Sequence, residues 1–303
     1  MDSTALVIAR KFNDIIYSVS CDEFVSAGVK KLLIISDKKD EKFPMTEIFD
    51  DVIYLYEPDV SAKGQFRLLT KINRISSRIK ADTVFMSNII LLSHYFIVRK
   101  TRCRRIILIE DGFMNYRSTR FDNNWKKDVL LRLMGFSKDY MTRRVERTYL
   151  LNPAKAKYFF GNLKTLELKG NNSEGYKGPS LAGKRIFIGQ PLYKSTQMTV
   201  EQYNHYVNDI IKKYKIDYYV PHFNAGSEEN IKAPALKLSD YGLTFELLAS
   251  RYTFSLYSFS SSVLFTTRWV NPEIKSVRIA VPGVYQVSDK TIFEESGVLL
   301  ETL

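Results

Sequence analysis

Strand-like and helix-like segments alternate along both halves of this chain, and a glycine-rich stretch separates the two runs. In the first half, residues 6–9, 31–36, 52–56, 83–87 and 106–109 read as strands, and 13–27, 65–79 and 89–98 as helices. In the second, residues 185–189, 217–220, 253–257 and 277–280 read as strands, and 199–213, 245–249 and 260–268 as helices. Such alternation predicts an α/β fold, because a strand–crossover–strand unit buries both faces of a parallel sheet. Residues 170–183 hold Gly170, Gly175, Gly178, Gly183 and Pro179 with two asparagines and two serines, the composition of a linker. A chain of 303 residues also exceeds what one hydrophobic core usually serves. The expectation is two α/β units, 1–170 and 184–303, joined by a linker at 171–183 and facing a cleft.

Several other classes are excluded. With 45% hydrophobic and 13% aromatic residues the chain can bury a large core, which argues against disorder. Two cysteines, Cys21 and Cys103, are too few for a disulfide framework and read as reduced cytosolic thiols. The longest apolar stretch, 89–98, is interrupted by Ser93 and His94 and is half the ~20 residues of a membrane-spanning helix. No basic segment precedes the first apolar run, so no signal peptide is expected and the chain reads as cytoplasmic.

The net charge is +12, and residues 99–147 hold fourteen Lys/Arg against six Asp/Glu. One cluster is Arg99, Lys100, Arg102, Arg104 and Arg105; the other is Lys126, Lys127, Arg132, Lys138, Arg143, Arg144 and Arg147. The second interleaves with Val129, Leu130, Leu133, Met134, Phe136, Tyr140 and Met141 at helical spacing. It reads as a basic amphipathic helix that either lies on an anionic bilayer or presents a solvated face over a packed stripe. No zinc spacing, RNP-like motif or helix-turn-helix accompanies it, so nucleic acid is not expected as a partner.

Three short constellations carry chemistry. Glu110-Asp111-Gly112 follows the apolar strand 106–109, where ligands of open α/β sheets bind and where carboxylates can do acid–base work. Ordinary solvated turn acids would look the same. His222 follows Tyr218-Tyr219-Val220-Pro221 at another strand end, placed to serve as a proton donor or phosphate partner, or simply as a structural histidine. His94 and His205 fall within helical patterns and read as packing or surface residues. Ser258-Phe259-Ser260-Ser261-Ser262 marks a strand-to-helix junction, either a phosphate site or a plain cap. Gly189-Gln190-Pro191-Leu192 ends the first strand of the second half. Walker, dinucleotide, nucleophile-elbow and zincin motifs are missing, and no Asp-x-Asp pair follows a strand; metal-independent chemistry is expected.

Taken in order, these segments resemble the bacterial sialyltransferases that sialylate lipooligosaccharide, glycosyltransferase family 52. The similarity rests on Ile107 to Gly112, Ile188 to Leu192, Tyr219 to His222, Phe245-Glu246 and Ser258 to Leu264. The family pattern usually continues His-Pro, whereas Phe223 follows His222 here. The resemblance implies a GT-B fold, two Rossmann-like domains facing a central cleft. It implies inverting, metal-independent transfer from CMP-sialic acid, with no cofactor, to a galactose-type hydroxyl of lipooligosaccharide or capsule. On this resemblance Asp111 would be the general base with Glu110 supporting it, and His222 would bind the CMP phosphate and aid its departure. Gly189, Gln190, Ser260, Ser261 and Ser262 would line the phosphate site and Glu246 would hold the ribose. Some relatives place the acid near the Gly-Gln-Pro-Leu segment; there Lys194-Ser195-Thr196 follows and Glu201 is the nearest carboxylate, a reserve base. A glycolipid or oligosaccharide acceptor fits the charge, as does peripheral contact of 99–147 with the inner face of a bacterial inner membrane. Another GT-B transferase making polysialic or capsule polymer, and a non-catalytic basic module binding membrane or polyanion, are the alternatives.

Overall fold

A computed structural model describes residues 3–36, 43–57, 62–117, 138–169, 180–194, 198–222, 225–281 and 291–303, with isolated positions between them. The chain divides into two compact units, Met1–Lys169 and Gly170–Leu303.

The first unit runs β1 (Thr4–Ala9), α1 (Phe12–Val19), α2 (Asp22–Val25), β2 (Val29–Ser36), β3 (Asp51–Tyr56), α3 (Ala62–Arg74), β4 (Thr83–Met86) and α4 (Leu92–Thr101). It continues with β5 (Arg105–Ile109), a 3-10 turn (Gly112–Tyr116), α5 (Lys138–Thr142), β6 (Val145–Leu150) and β7 (Asn162–Thr165). The seven strands among its described residues are all parallel, in the order β3-β2-β1-β4-β5-β6-β7. The continuous apolar runs of β1, β2, β4 and β5 are buried, as two-sided burial in a parallel sheet requires. Leu6, Ile8, Leu33, Val84, Ile97, Ile106 and Leu108 share one core with Leu68 and Ile72 of α3.

The second unit runs β8 (Arg185–Ile188), α6 (Val200–Tyr214), β9 (Tyr218–Val220), α7 (Phe245–Ala249), β10 (Ser255–Ser258), α8 (Val263–Val270), β11 (Lys275–Ala280), α9 (Thr291–Glu295) and β12 (Leu299–Thr302). The five strands among its described residues are parallel, in the order β12-β11-β10-β8-β9. Thr199 caps α6 by accepting from the Gln202 N–H at 3.2 Å, while Gln202 reaches back to the Thr199 N–H at 2.9 Å. Phe187, Tyr203, Val207, Ile210, Tyr219 and Val277 form the core on one face of this sheet.

Three readings need correction. The helix expected over 13–27 is two helices, because the chain breaks at Ser20 and Cys21, which bond back to Ile16 and Tyr17 carbonyls. The helix expected over 89–98 begins only at Leu92, after Asn88 Oδ1 has taken the Ile90 N–H. The basic amphipathic helix does not reach Arg147, which lies in β6, ion-paired to the buried Glu23. Lys126 and Lys127 lie outside the described residues.

The sheet also redistributes the charge. Arg99, Lys100 and Arg102 end α4, Arg104 and Arg105 begin β5, and Arg143 and Arg144 precede β6. All sit at the amino-terminal edge of the sheet, whereas Asp111 lies beyond the carboxyl end of β5. The five residues of β5 separate the two edges by about 17 Å. These seven basic residues therefore lie near Glu110-Asp111-Gly112 in sequence but not in space. Arg104, Arg105 and Arg143 pair there with Asp82, Glu146 and Asp139. Among the described residues no helix is long and apolar enough to cross a membrane.

Candidate functional site

In the first unit, strand order reverses at β1 and β4, and open α/β sheets bind ligands at the carboxyl ends beside such a switch point. The loops there carry Arg10 and Lys11 after β1, Asn88 after β4, and Glu110 and Asp111 after β5. Asp14, on the first turn of α1, is buried, and its Oδ2 accepts the Arg10 and Lys11 N–H groups at 2.9 and 3.1 Å. That caps the helix through its third residue and leaves the Lys11 side chain available.

Lys11 Nζ donates to Asp111 Oδ1 at 3.1 Å, and Asn88 Nδ2 donates to Oδ2 at 3.2 Å. The Asp111 side chain is 14% exposed. Its N–H donates to Asn115 Oδ1 at 2.7 Å. Burial alone would depress the Lys11 ammonium, but Asp111, Asp14 and Glu110 around it outweigh burial and raise its pKa. Asn88 is anchored in turn, its carbonyl accepting from His94 Nδ1 at 2.7 Å. Arg10 extends the edge towards β3 through its ion pair with the buried Glu57, at 2.7 Å.

Glu110 takes a different position from its neighbour. It is buried; Oε1 accepts the Gly112 N–H at 3.0 Å, and Oε2 accepts the Tyr116 hydroxyl and the Leu151 N–H at 2.9 Å. It thus ties the end of β5 to the turn that follows and to the end of β6. Burial, then the Glu110 charge, pushes the Tyr116 phenol well up. Gly112 has φ +71°, the left-handed conformation that glycine adopts without steric cost, which explains the third member of the motif.

In the second unit the switch point lies between β8 and β10. Gln190 follows β8 and Ser260 follows β10, and Gln190 Oε1 accepts the Ser260 N–H at 2.6 Å and its hydroxyl at 2.9 Å. Ser261 and Ser262 complete the turn into α8, with the Ser261 hydroxyl taking the Val263 N–H at 3.4 Å. Gly189 is buried against the Tyr219 phenol, where a Cβ would collide with the ring. His222 lies two residues past β9, half-buried, its carbonyl accepting the Ala225 N–H at 2.8 Å. His205 is exposed beside Asp209.

A chain of hydroxyls supports this edge. Gln190 N–H donates to Tyr203 Oη at 3.2 Å; the Tyr203 and Tyr219 hydroxyls lie 3.2 Å apart, and Tyr219 donates to Glu229 Oε2 at 2.6 Å. Tyr193 donates to the other Glu229 oxygen at 2.9 Å and accepts the Gly226 N–H at 2.9 Å. Burial, first of all, raises the Tyr203 and Tyr219 phenols, so they act as neutral hydrogen-bonding groups.

Glu246 is buried between α7 and α8, one oxygen accepting the Thr266 hydroxyl at 2.7 Å and the other, Oε2, without a hydrogen-bond partner among the described residues. Glu201 is exposed on the first turn of α6, and its own N–H with the Thr199 hydroxyl lowers its pKa. Ser195 lies outside the described residues. Among the described residues no three His, Cys, Asp or Glu side chains gather as a metal site.

The structure therefore brings Glu110 and Asp111 to one edge of the first unit, and Gly189, Gln190, His222 and Ser260 to Ser262 to one edge of the second. Sequence reasoning missed Lys11, Asn88 and Arg278. Arg278 is buried in β11, donates to the Phe259 carbonyl at 3.2 Å, and has its pKa lowered, chiefly by burial. A cation inside the apolar run 277–280 was its signal; the basic pair closing the first strand was that of Lys11.

Solved structures are similar to this chain at low identity. A putative UDP-N-acetylglucosamine 2-epimerase from Listeria monocytogenes matches with TM-score 0.51 and 11% identity, over 92% of this chain and 79% of that one. The UDP-GlcNAc 2-epimerase of Methanocaldococcus jannaschii gives 0.47 and 10%, over 99% and 88%. A glycotransferase of kitacinnamycin gives 0.47 and 11%, over 100% and 87%. Two Rossmann-like units of this kind are the GT-B fold. No curated protein matches the chain. The model of glycosyltransferase family 52 matches residues 35–280, a span that includes Asp111, Gln190, His222 and the serine turn. The chain belongs to glycosyltransferase family 52.

Proposed function

We propose that this glycosyltransferase moves sialic acid from CMP-sialic acid to a galactose-type hydroxyl of a cell-surface glycan, lipooligosaccharide or capsule, with inversion and without a metal or cofactor. The observation that carries the reading is the family match, spanning both sheet-edge constellations. Asp111 is the general base, because its carboxylate is only partly solvated and is held by two donors with lone pairs to spare. Glu201, the reserve base, is exposed on the first turn of α6 and is held by no comparable pair of side-chain donors among the described residues. Glu110 acts by fixing the turn that carries Asp111. His222 takes the CMP phosphate, with Ser261 and Ser262 supplying donors at the turn into α8. Gln190 holds that turn through Ser260, and Gly189 lets the loop close on Tyr219, so that these three line the site. Glu246 meets the ribose through its second oxygen.

The basic amino-terminal edge of the first sheet serves as a peripheral contact with anionic lipid, separate from the acceptor site. Salt-sensitive sedimentation with phosphatidylglycerol vesicles, lost in an Arg104→Glu/Arg143→Glu double variant, tests it.

For the activity, CMP release and sialoside formation should be followed with a galactose-terminated acceptor. Asp111→Asn and His222→Ala should each lower kcat about a hundred- to ten-thousand-fold while leaving the chain folded. Rates unchanged in both variants would sink the residue assignment. Absence of CMP release with any acceptor would sink the donor.

A further inference from the structure

We infer that Lys11 is the positioning residue of the glycosyl transfer: its ammonium, bonded to Asp111 Oδ1, aims the carboxylate at the acceptor hydroxyl. The inference rests on the reading of Asp111 as base and adds a residue to it.

Three carboxylates, Asp14, Glu110 and Asp111, crowd the carboxyl ends of β1 and β5, and each is provided for differently. Glu110 is saturated by Gly112, Tyr116 and Leu151. Asp14 Oδ2 is taken by two backbone N–H groups, and its buried Oδ1 has no hydrogen-bond partner among the described residues. Asp111 is paired with the Lys11 ammonium at 3.1 Å, with Lys11 30% and Asp111 14% exposed.

Stability alone does not account for this pair. Desolvating an ammonium and a carboxylate offsets most of their attraction, and apolar replacements at such places are often neutral or better. The pair also lies at the switch-point edge rather than within the core of the first unit. Lys11 holds one Asp111 oxygen and Asn88 the other, so the carboxylate plane is fixed from both sides. Each oxygen keeps a lone pair for a substrate hydroxyl.

In the step itself the acceptor O–H bond breaks and its proton passes to Asp111. The acceptor oxygen bonds to the anomeric carbon. The bond from that carbon to the phosphate oxygen breaks, and the nucleotide leaves with its electron pair. Lys11 exchanges no proton; it sets the angle at which the Asp111 lone pair meets the hydroxyl. Misplacing a reacting group by about 1 Å can cost about a hundredfold.

The test compares wild type, Lys11→Met, Lys11→Arg and Lys11→Ala in steady-state transfer, with CMP affinity and thermal melting as controls on folding. Lys11→Met should lower kcat about 30-fold with CMP affinity unchanged within twofold, and Lys11→Arg should recover part of the loss. Methylammonium at tens of millimolar should restore Lys11→Ala several-fold and leave wild type unaffected, a response that a purely structural lysine does not give. If wild type transfers sugar and Lys11→Met keeps kcat within twofold, or if methylammonium rescues nothing, the role of Lys11 is overturned while the function stands. If wild type transfers no sugar from any nucleotide donor, the function falls and this role falls with it.

Discussion

Gln190 Oε1 accepts two hydrogen bonds from Ser260, one from the backbone N–H at 2.6 Å and one from the hydroxyl at 2.9 Å. The bonds join the loops after β8 and β10, the two strands between which the order of the second sheet reverses. Gln190→Ala removes the acceptor and frees the serine turn. CMP binding, measured by calorimetry, should weaken about tenfold, with melting lowered by only a few degrees.

Gly189 admits no side chain, because the Tyr219 ring held by Tyr203 and Glu229 occupies the space. Gly189→Ala should cost about 2 kcal/mol through overpacking. In a Tyr219→Ala background the same substitution should cost far less, since the colliding ring is gone. Urea melts of the four chains in this cycle check it; full additivity would show that Tyr219 is not the obstacle.

Glu110 accepts from three donors in the first unit. Glu110→Ala leaves the Gly112 and Leu151 N–H groups and the Tyr116 hydroxyl without their acceptor, at about 3 kcal/mol. Tyr116→Phe removes one donor and should cost about 1 kcal/mol. Loss of transfer in Glu110→Ala should therefore track loss of fold, seen as a melting drop of about 10 °C. Unchanged melting with lost transfer would instead give Glu110 a direct part in the chemistry.

Asp14 makes stability depend on pH in the direction opposite to most carboxylates. Burial raises its pKa above 3.8, and Lys11 opposes this only in part. Above 3.8 the native chain holds a proton that the unfolded chain has released, so stability falls as pH rises until the native group also ionises. Relative to Asp14→Asn, which does not titrate, wild type should be most stable in acid and lose ground through this window. Urea melts of both chains from pH 3.5 to 7 measure the difference, and a flat difference would place Asp14 at its ordinary value.

Much of the fold is legible locally. Residues 106–109 and 185–189 read as strands because apolar runs bounded by polar turns have no other economical burial, and 199–213 reads as a helix from its period. The elements missed had weak local signals. β7 is mostly exposed and polar at the sheet edge, so no apolar pattern marks it. β6 was hidden because Arg147 looked like part of a basic helix, whereas its partner Glu23 lies 124 residues away. β12 keeps Leu299 and Leu300 exposed, an apolar pair without alternation.

By itself the sequence determined that Asp111, Gln190, His222 and Ser260 follow strands, and hence lie at the carboxyl edges of parallel sheets. Which of these loops become neighbours was decided only in three dimensions. Lys11 meets Asp111 across 100 residues, and Gln190 meets Ser260 across 70. The same step carried Arg104 and Arg105 to the opposite edge from Asp111, although they are close to it in the chain. Periodicity encodes which face of a segment is buried, but contacts between loops follow from strand order, and strand order is set by how whole segments pack against one another.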